Sequence, residues 1–163
     1  MTPTLRVLSI IAVLTLLAAA SSAQAQDAAS SKGRFTGSLR GSGVIGGGDA
    51  TRYSGSVEIT PTSSTAGAWR VEIKLSSGGG GGSASMLQWS ISPGRCGSRV
   101  QQLLAPSGLP QLEVRSGGSA DLRFDGAITL DEKASYQLVV YGNGQNQQDI
   151  VACANLKYAA PKP

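Results

Sequence analysis

The sequence contains no histidine, and this absence excludes several kinds of chemistry. Without an imidazole there is no serine–histidine catalytic triad, no histidine-ligated zinc or copper site and no histidine general base. Charged residues make up only 15% of the chain and aromatic residues 5%. The basic residues are scattered and form no stripe with interleaved aromatic residues, so we do not expect binding to nucleic acid.

Cysteine is scarce as well, with Cys96 and Cys153 as the only two. Neither cysteine belongs to a C-x-x-C motif. A reactive or metal-binding pair is disfavoured because that motif is missing and no histidine accompanies the thiols. Two cysteines in an exported chain most simply form one structural disulfide, which is our prediction here.

The N-terminus has the three parts of a secretory signal peptide. Arg6 supplies a positive charge, residues 7–20 form an apolar run, and Ala23-Gln24-Ala25 fits an A-x-A cleavage site. The apolar run is shorter than the roughly 20 residues that a membrane-spanning helix needs. We therefore predict removal of residues 1–25, a flexible start over 26–34, and a periplasmic or secreted mature chain without a membrane span.

Glycine is abundant, with 22 residues, and the mature chain shows no long helical period. Apolar and polar residues alternate in about eight short segments that are separated by Gly- or Pro-marked turns. This pattern indicates an all-β sandwich or barrel, with one domain over 35–158 and a tail over 159–163. The predicted strands lie within residues 35–43, 53–59, 69–75, 87–91, 112–114, 120–124, 136–140 and 150–156.

Two connections have a distinct composition. The five-glycine tract 78–82 loses too much entropy to be the interior of a strand or helix, so we predict a flexible hairpin connection there. It lacks the lysine and the following helix of a phosphate-binding loop. Residues 99–106 are predicted as a short helical turn or a loop.

Four segments, in order along the chain, resemble the copper/zinc superoxide dismutase family. The segments are 87–96, which ends in a Gly-Arg-Cys sequence; 108–114, which a Gly-Gly pair follows; 136–141; and 150–155, which contains an Ala-Cys pair. The resemblance extends over about residues 35–157. It implies an eight-stranded Greek-key β-barrel in which Cys96 is bridged to Cys153.

The resemblance also implies where the metal ligands of the family belong. Ser90 and Ser92 stand where the family has two alternating copper histidines, and Tyr141 stands where it has a further copper histidine. Gly108 stands in place of the zinc aspartate, and Ile150 in place of the arginine that guides the substrate. Serine hydroxyls do not ionise near neutral pH and bind divalent copper poorly. We therefore expect no metal cofactor and no dismutase activity.

With this mapping, Ser90, Ser92 and Tyr141 share one outward face of the sheet. We expect an ordinary solvated strand surface there, and a shallow polar binding patch is the alternative. In their strands, Trp69 and Trp89 belong to the alternating set of residues that is apolar, so we expect both side chains in the core.

These observations favour an exported, non-catalytic domain similar to superoxide dismutase, with a structural or binding role. Its partner is an unknown protein or envelope component. Two alternatives stay open. One is an enzyme of the family with residual or borrowed metal. The other is a carbohydrate- or peptide-binding β-sandwich, which predicts exposed aromatic residues in a groove.

Overall fold

The computed structural model describes residues 33–41, 53–62, 67–78, 85–98, 101–142 and 150–161. Within these residues the chain forms eight strands and no α-helix, which confirms the all-β prediction. A 3-10 helix, Pro106–Gly108, is the one helical turn in that part of the chain. The strands are β1 (Arg34–Gly41), β2 (Tyr53–Pro61), β3 (Ala68–Ser77), β4 (Ser85–Pro93), β5 (Leu112–Val114), β6 (Ser119–Ala127), β7 (Tyr136–Tyr141) and β8 (Ile150–Ala159).

All eight strands belong to one antiparallel sheet, in the order β5-β4-β7-β8-β1-β2-β3-β6. A tight turn joins the two ends of that order, since the N–H of Arg115 donates to the carbonyl of Ser119. Gly118 in this turn has a φ of 76°, a conformation that favours glycine. Its carbonyl accepts a 2.7 Å hydrogen bond from the N–H of Ser77 at the end of β3. The sheet is thereby curled into a nearly closed barrel.

The barrel interior is filled by one side of each strand, because successive side chains of a strand point to opposite faces. In β3, Val71, Ile73 and Leu75 are buried, whereas Glu72 and Lys74 lie on the outer face. The same alternation directs Leu87, Trp89 and Ile91 of β4, and Tyr136, Leu138 and Val140 of β7, inward. The largest fully buried side chains include Trp89, Phe35, Leu39, Ile59, Ile73, Ile91, Leu112 and Leu138.

The two tryptophans differ in burial. Trp89 is fully buried and packs edge-on against Phe124, with 5.8 Å between the ring centroids, which confirms its predicted place in the core. Trp69 is half-buried and packs against the core through Phe35, also at 5.8 Å. The prediction that both tryptophans lie in the core is therefore confirmed for Trp89, whereas Trp69 lies at the edge of the core and is only partly buried.

The connection between β3 and β4 is not a hairpin, so that prediction is wrong. β3 pairs with β2 and β6, whereas β4 pairs with β5 and β7, and the glycine tract thus joins strands that are not neighbours. Residues 79–82, the predicted signal peptide (1–25) and residues 26–32 lie outside the described residues. No helix in the described part of the chain has the length and apolar character needed to cross a membrane.

Candidate functional site

The positions that the sequence singled out lie on two neighbouring strands. β4 and β7 pair in a register that sets Ser90 opposite Val139 and Ser92 opposite Gln137. Because Trp89 and Ile91 point into the core, Ser90 and Ser92 lie on the outer side of the sheet. Tyr141, at the end of β7, lies on that side too. The structure thus brings Ser90, Ser92 and Tyr141 to one face, which the sequence predicted.

This face is not exposed to solvent. Ser90 has 0%, Ser92 3% and Tyr141 6% of its surface accessible. Both interpretations of the face, the solvated strand surface and the shallow polar patch, are therefore wrong. The reason is that a loop lies over the sheet here, which strand alternation alone does not reveal.

The loop that lies over this face consists of residues 94–98 and 101–104, which we call the covering segment. The N–H groups of Leu103 and Leu104 both donate to the carbonyl of Ile91, at 2.8 and 3.2 Å. On the core side of β4, the indole N–H of Trp89 donates to the carbonyl of Pro110 at 2.9 Å, which fixes the chain beyond the 3-10 helix. Residues 101–105 form a loop with a single bridge to β4, which is one of the two predicted alternatives, and the 3-10 helix begins only at Pro106, the last residue of the predicted range.

A buried hydrogen-bond network joins the covering segment to the sheet. The hydroxyl oxygens of Ser90 and Tyr141 are 2.9 Å apart. Gln102, in the covering segment, donates from Nε2 to the Tyr141 hydroxyl at 3.1 Å. In β7, Gln137 donates from its own Nε2 to the carbonyl of Ser98 at 3.1 Å. Every member of this network is uncharged, so it satisfies buried polar atoms and supplies no ionised group for acid–base chemistry.

The disulfide fixes the start of the covering segment to β8. Cys96 and Cys153 are bonded, with 5.9 Å between their Cα atoms, which confirms the predicted disulfide. The N–H of Cys96 also donates to Oδ1 of Asn155 at 2.8 Å. Near β7, the N–H of Gly94 donates to the carbonyl of Ser135 at 2.8 Å. The segment is therefore anchored to β7 and β8 before it crosses β4.

Gly108 has a different environment from the other mapped positions. It ends the 3-10 helix, is exposed, and donates its N–H to the carbonyl of Ala105 at 3.2 Å. Among the described residues it makes no hydrogen bond to Ser90, Tyr141 or Gln102. The structure therefore does not bring Gly108 together with the serines and Tyr141.

The residues at this face do not fit copper or zinc. Zinc and copper in proteins take imidazole, thiolate or carboxylate ligands, and the side chains present are hydroxyls and carboxamides. Both cysteine sulfurs of the chain are held in the disulfide. No group of three or more Cys, Asp or Glu side chains is close enough to hold a metal ion within the described residues.

Sequence reasoning missed Gln102 and Gln137, which make the contacts that close this face. Neither glutamine belongs to a motif, and an uncharged amide carries no periodic signal of burial. The chain matched no protein-family model, no curated protein and no solved structure. The covered face presents hydroxyls and amides, which form the hydrogen bonds described above.

Proposed function

We propose that this protein is an exported, non-catalytic β-barrel domain with the architecture of the superoxide dismutase family and a structural or binding role. The observation that carries the proposal is the uncharged, buried network of Ser90, Tyr141 and Gln102. Two members of this network, Ser90 and Tyr141, stand at positions where the resemblance expects copper ligands. Those side chains are hydrogen-bonded to one another and covered, so the face serves packing and not catalysis.

The strand order supports the Greek-key part of this proposal. Strands β4, β5 and β6 follow one another around the barrel, and β7 then returns to the other side of β4. A fourth strand beside the first of three consecutive strands is the Greek-key arrangement. The disulfide between the loop after β4 and strand β8 supports the family resemblance, which implies the same bridge.

The disulfide also supports export. Disulfides persist in the periplasm and outside the cell and are rare in the cytosol. A bridge between Cys96 and Cys153 is thus consistent with the predicted signal peptide and with a periplasmic or secreted location.

Metal analysis tests the non-catalytic assignment. The full-length chain should be expressed with copper and zinc in the medium, purified from the periplasm or medium, and its metal content and dismutase activity measured. We expect substoichiometric metal and no dismutation of superoxide. Added copper or zinc should also leave the unfolding midpoint unchanged, because a ligand that binds the native state raises it. One tightly bound copper per chain, with activity that a chelator removes, would overturn the assignment.

A further inference from the structure

A second outward face, on strands β8, β1 and β2, contains an open cleft. Its volume is about 700 Å³, within the range of ligand pockets. The disulfide loop at Cys96 forms one wall. Ser38 and Ser56, which face each other across β1 and β2, lie on its floor.

Two cations lie at opposite ends of this cleft. Arg40 of β1 lies opposite Cys153 of β8, and Lys157 of β8 lies opposite Thr36 of β1. Four residues of strand separate the two positions, which corresponds to about 13 Å. Within the described residues no carboxylate forms an ion pair with Arg40 or Lys157. The acidic residue of the lining, Glu58, has its carboxylate 3.4 Å from the guanidinium of Arg34.

The lining also contains hydroxyl and amide groups that can donate hydrogen bonds. Thr36, Ser38 and Ser56 supply hydroxyls. Asn155 accepts the Cys96 N–H through Oδ1, which leaves its NH₂ group to donate to a ligand. Hydroxyl and amide donors together with two cations match a ligand that has anionic groups at both ends and acceptor oxygens between them.

An acidic saccharide fits this chemistry better than a peptide or a neutral sugar does. The lining contains no aromatic ring on which a neutral sugar would stack, and Val57 is its one aliphatic side chain among the described residues. β1 is paired on both sides, so this face offers no free edge for strand addition by a peptide. We propose that the cleft binds a short saccharide that carries carboxylate or sulfate groups. This proposal gives a ligand class to the binding role above, and it does not depend on the resemblance to superoxide dismutase.

Calorimetric titration of the purified, oxidised protein tests the proposal. The probes are a short oligogalacturonate, a sulfated heparin fragment of similar length and a neutral malto-oligosaccharide. We expect one of the acidic saccharides, or both, to bind with one-to-one stoichiometry and the neutral one not to bind. Preference between the acidic probes identifies the anionic group. Absence of binding to both acidic probes, or equal binding of the neutral probe, would overturn the proposal.

Charge variants separate a site from general attraction. Arg40→Gln and Lys157→Gln together should weaken binding by roughly tenfold for each cation, as expected for charge-assisted hydrogen bonds. The matched control, Lys74→Gln with Lys133→Gln, removes two exposed cations that do not line the cleft and should leave affinity nearly unchanged. An equal loss in the control would contradict the proposal.

A floor variant provides a test that leaves net charge unchanged. Ser38→Gln lengthens an exposed side chain on the cleft floor, so it should weaken saccharide binding while the unfolding midpoint stays the same. Undiminished affinity in this variant would count against the cleft as the site. Tighter binding of a glutamate-rich peptide than of either acidic saccharide would also overturn the assignment. None of these results depends on metal content, so the metal analysis above can fail without affecting them.

Discussion

Two pairs of outward-facing serines lie in very different environments in this barrel. Ser90 and Ser92 of β4 have 0% and 3% of their surface accessible, whereas Ser38 of β1 and Ser56 of β2 are exposed. All four follow the same strand alternation. Neither the residue type nor the alternation along the strand therefore decides whether a side chain on the outer face is buried. A loop packed over that face decides it.

The composition of each face matches its environment. The covered face of β4 and β7 presents hydroxyls and amides that bond to one another and to the covering segment. The open face of β1 and β2 carries charges, including the pair of Arg34 and Glu58. Burying a charge costs far more than burying a hydrogen-bonded hydroxyl, so only an uncharged face tolerates the loop.

Removal of the disulfide should have the largest effect on the difference between the covered face and the open face, because the disulfide anchors the covering segment. Replacement of Cys96 and Cys153 by alanine should lower the free energy of unfolding by about 4 kcal/mol, given the 57-residue separation. Urea unfolding measures the loss, with the chemically reduced wild type as a control. Hydrogen exchange at the Leu103 and Leu104 amides should accelerate more than exchange at Ile73 in β3. A uniform acceleration would mean that the bridge does not specifically hold the covering segment.

Removal of the central hydroxyl of the buried network should have the next largest effect. Tyr141→Phe leaves the Ser90 hydroxyl and the Gln102 amide without their shared partner. The expected loss is about 1–3 kcal/mol, the penalty for leaving buried polar atoms unsatisfied. Denaturant unfolding with an unchanged slope is the measurement. A stability equal to that of the wild type would show that the two groups find other partners.

A matched pair of serine variants compares the two faces directly. Ser90→Ala should cost about 1 kcal/mol because Tyr141 loses one hydrogen bond and keeps the one from Gln102. Ser38→Ala, the same change on the open face, should stay within about 0.5 kcal/mol of the wild type. Equal effects of the two substitutions would remove the distinction between the faces.

The smallest effect is expected on a third outer surface, where Arg70 of β3 meets Asp125 of β6. The guanidinium donates two hydrogen bonds to the carboxylate, at 2.7 and 3.0 Å, and these bonds hold the pKa of Asp125 below its usual value. The pair therefore stabilises the fold above the ordinary carboxyl pKa of about 3.9, and this contribution is lost as pH falls through the lowered value.

The measurement for this pair is an NMR titration of the Asp125 carboxyl carbon. In Arg70→Gln the pKa of Asp125 should rise toward its ordinary value, with little change in stability near neutral pH because the pair is exposed. Glu58→Gln, on a different strand pair, is a control that should leave the Asp125 pKa unchanged. An unaltered pKa in Arg70→Gln would show that the contact does not persist in solution.

Strand alternation allowed much of the fold to be predicted. Each of the eight predicted strands overlaps an observed one, and the inward parity of Val71, Ile73 and Leu75 is confirmed. A side-chain period of two is a local property of the chain, so it can be recognised in the sequence without knowledge of the tertiary structure.

The errors concern contacts between distant residues. The hairpin prediction at 78–82 requires the two strands that flank the glycine tract to be neighbours in the sheet, and β3 and β4, like β6 and β7, are not. The covering of Ser90 and Tyr141 depends on Gln102, whose place above the sheet is fixed by contacts to β4 and β7. Neither feature has a local signature in the sequence.

The position of β1 between β2 and β8 has a consequence for biogenesis. β8 also pairs with β7, so a chain from which residues 150–159 have not yet emerged exposes two unpaired strand edges, at β1 and at β7. Assembly of the barrel must then wait for the last strand.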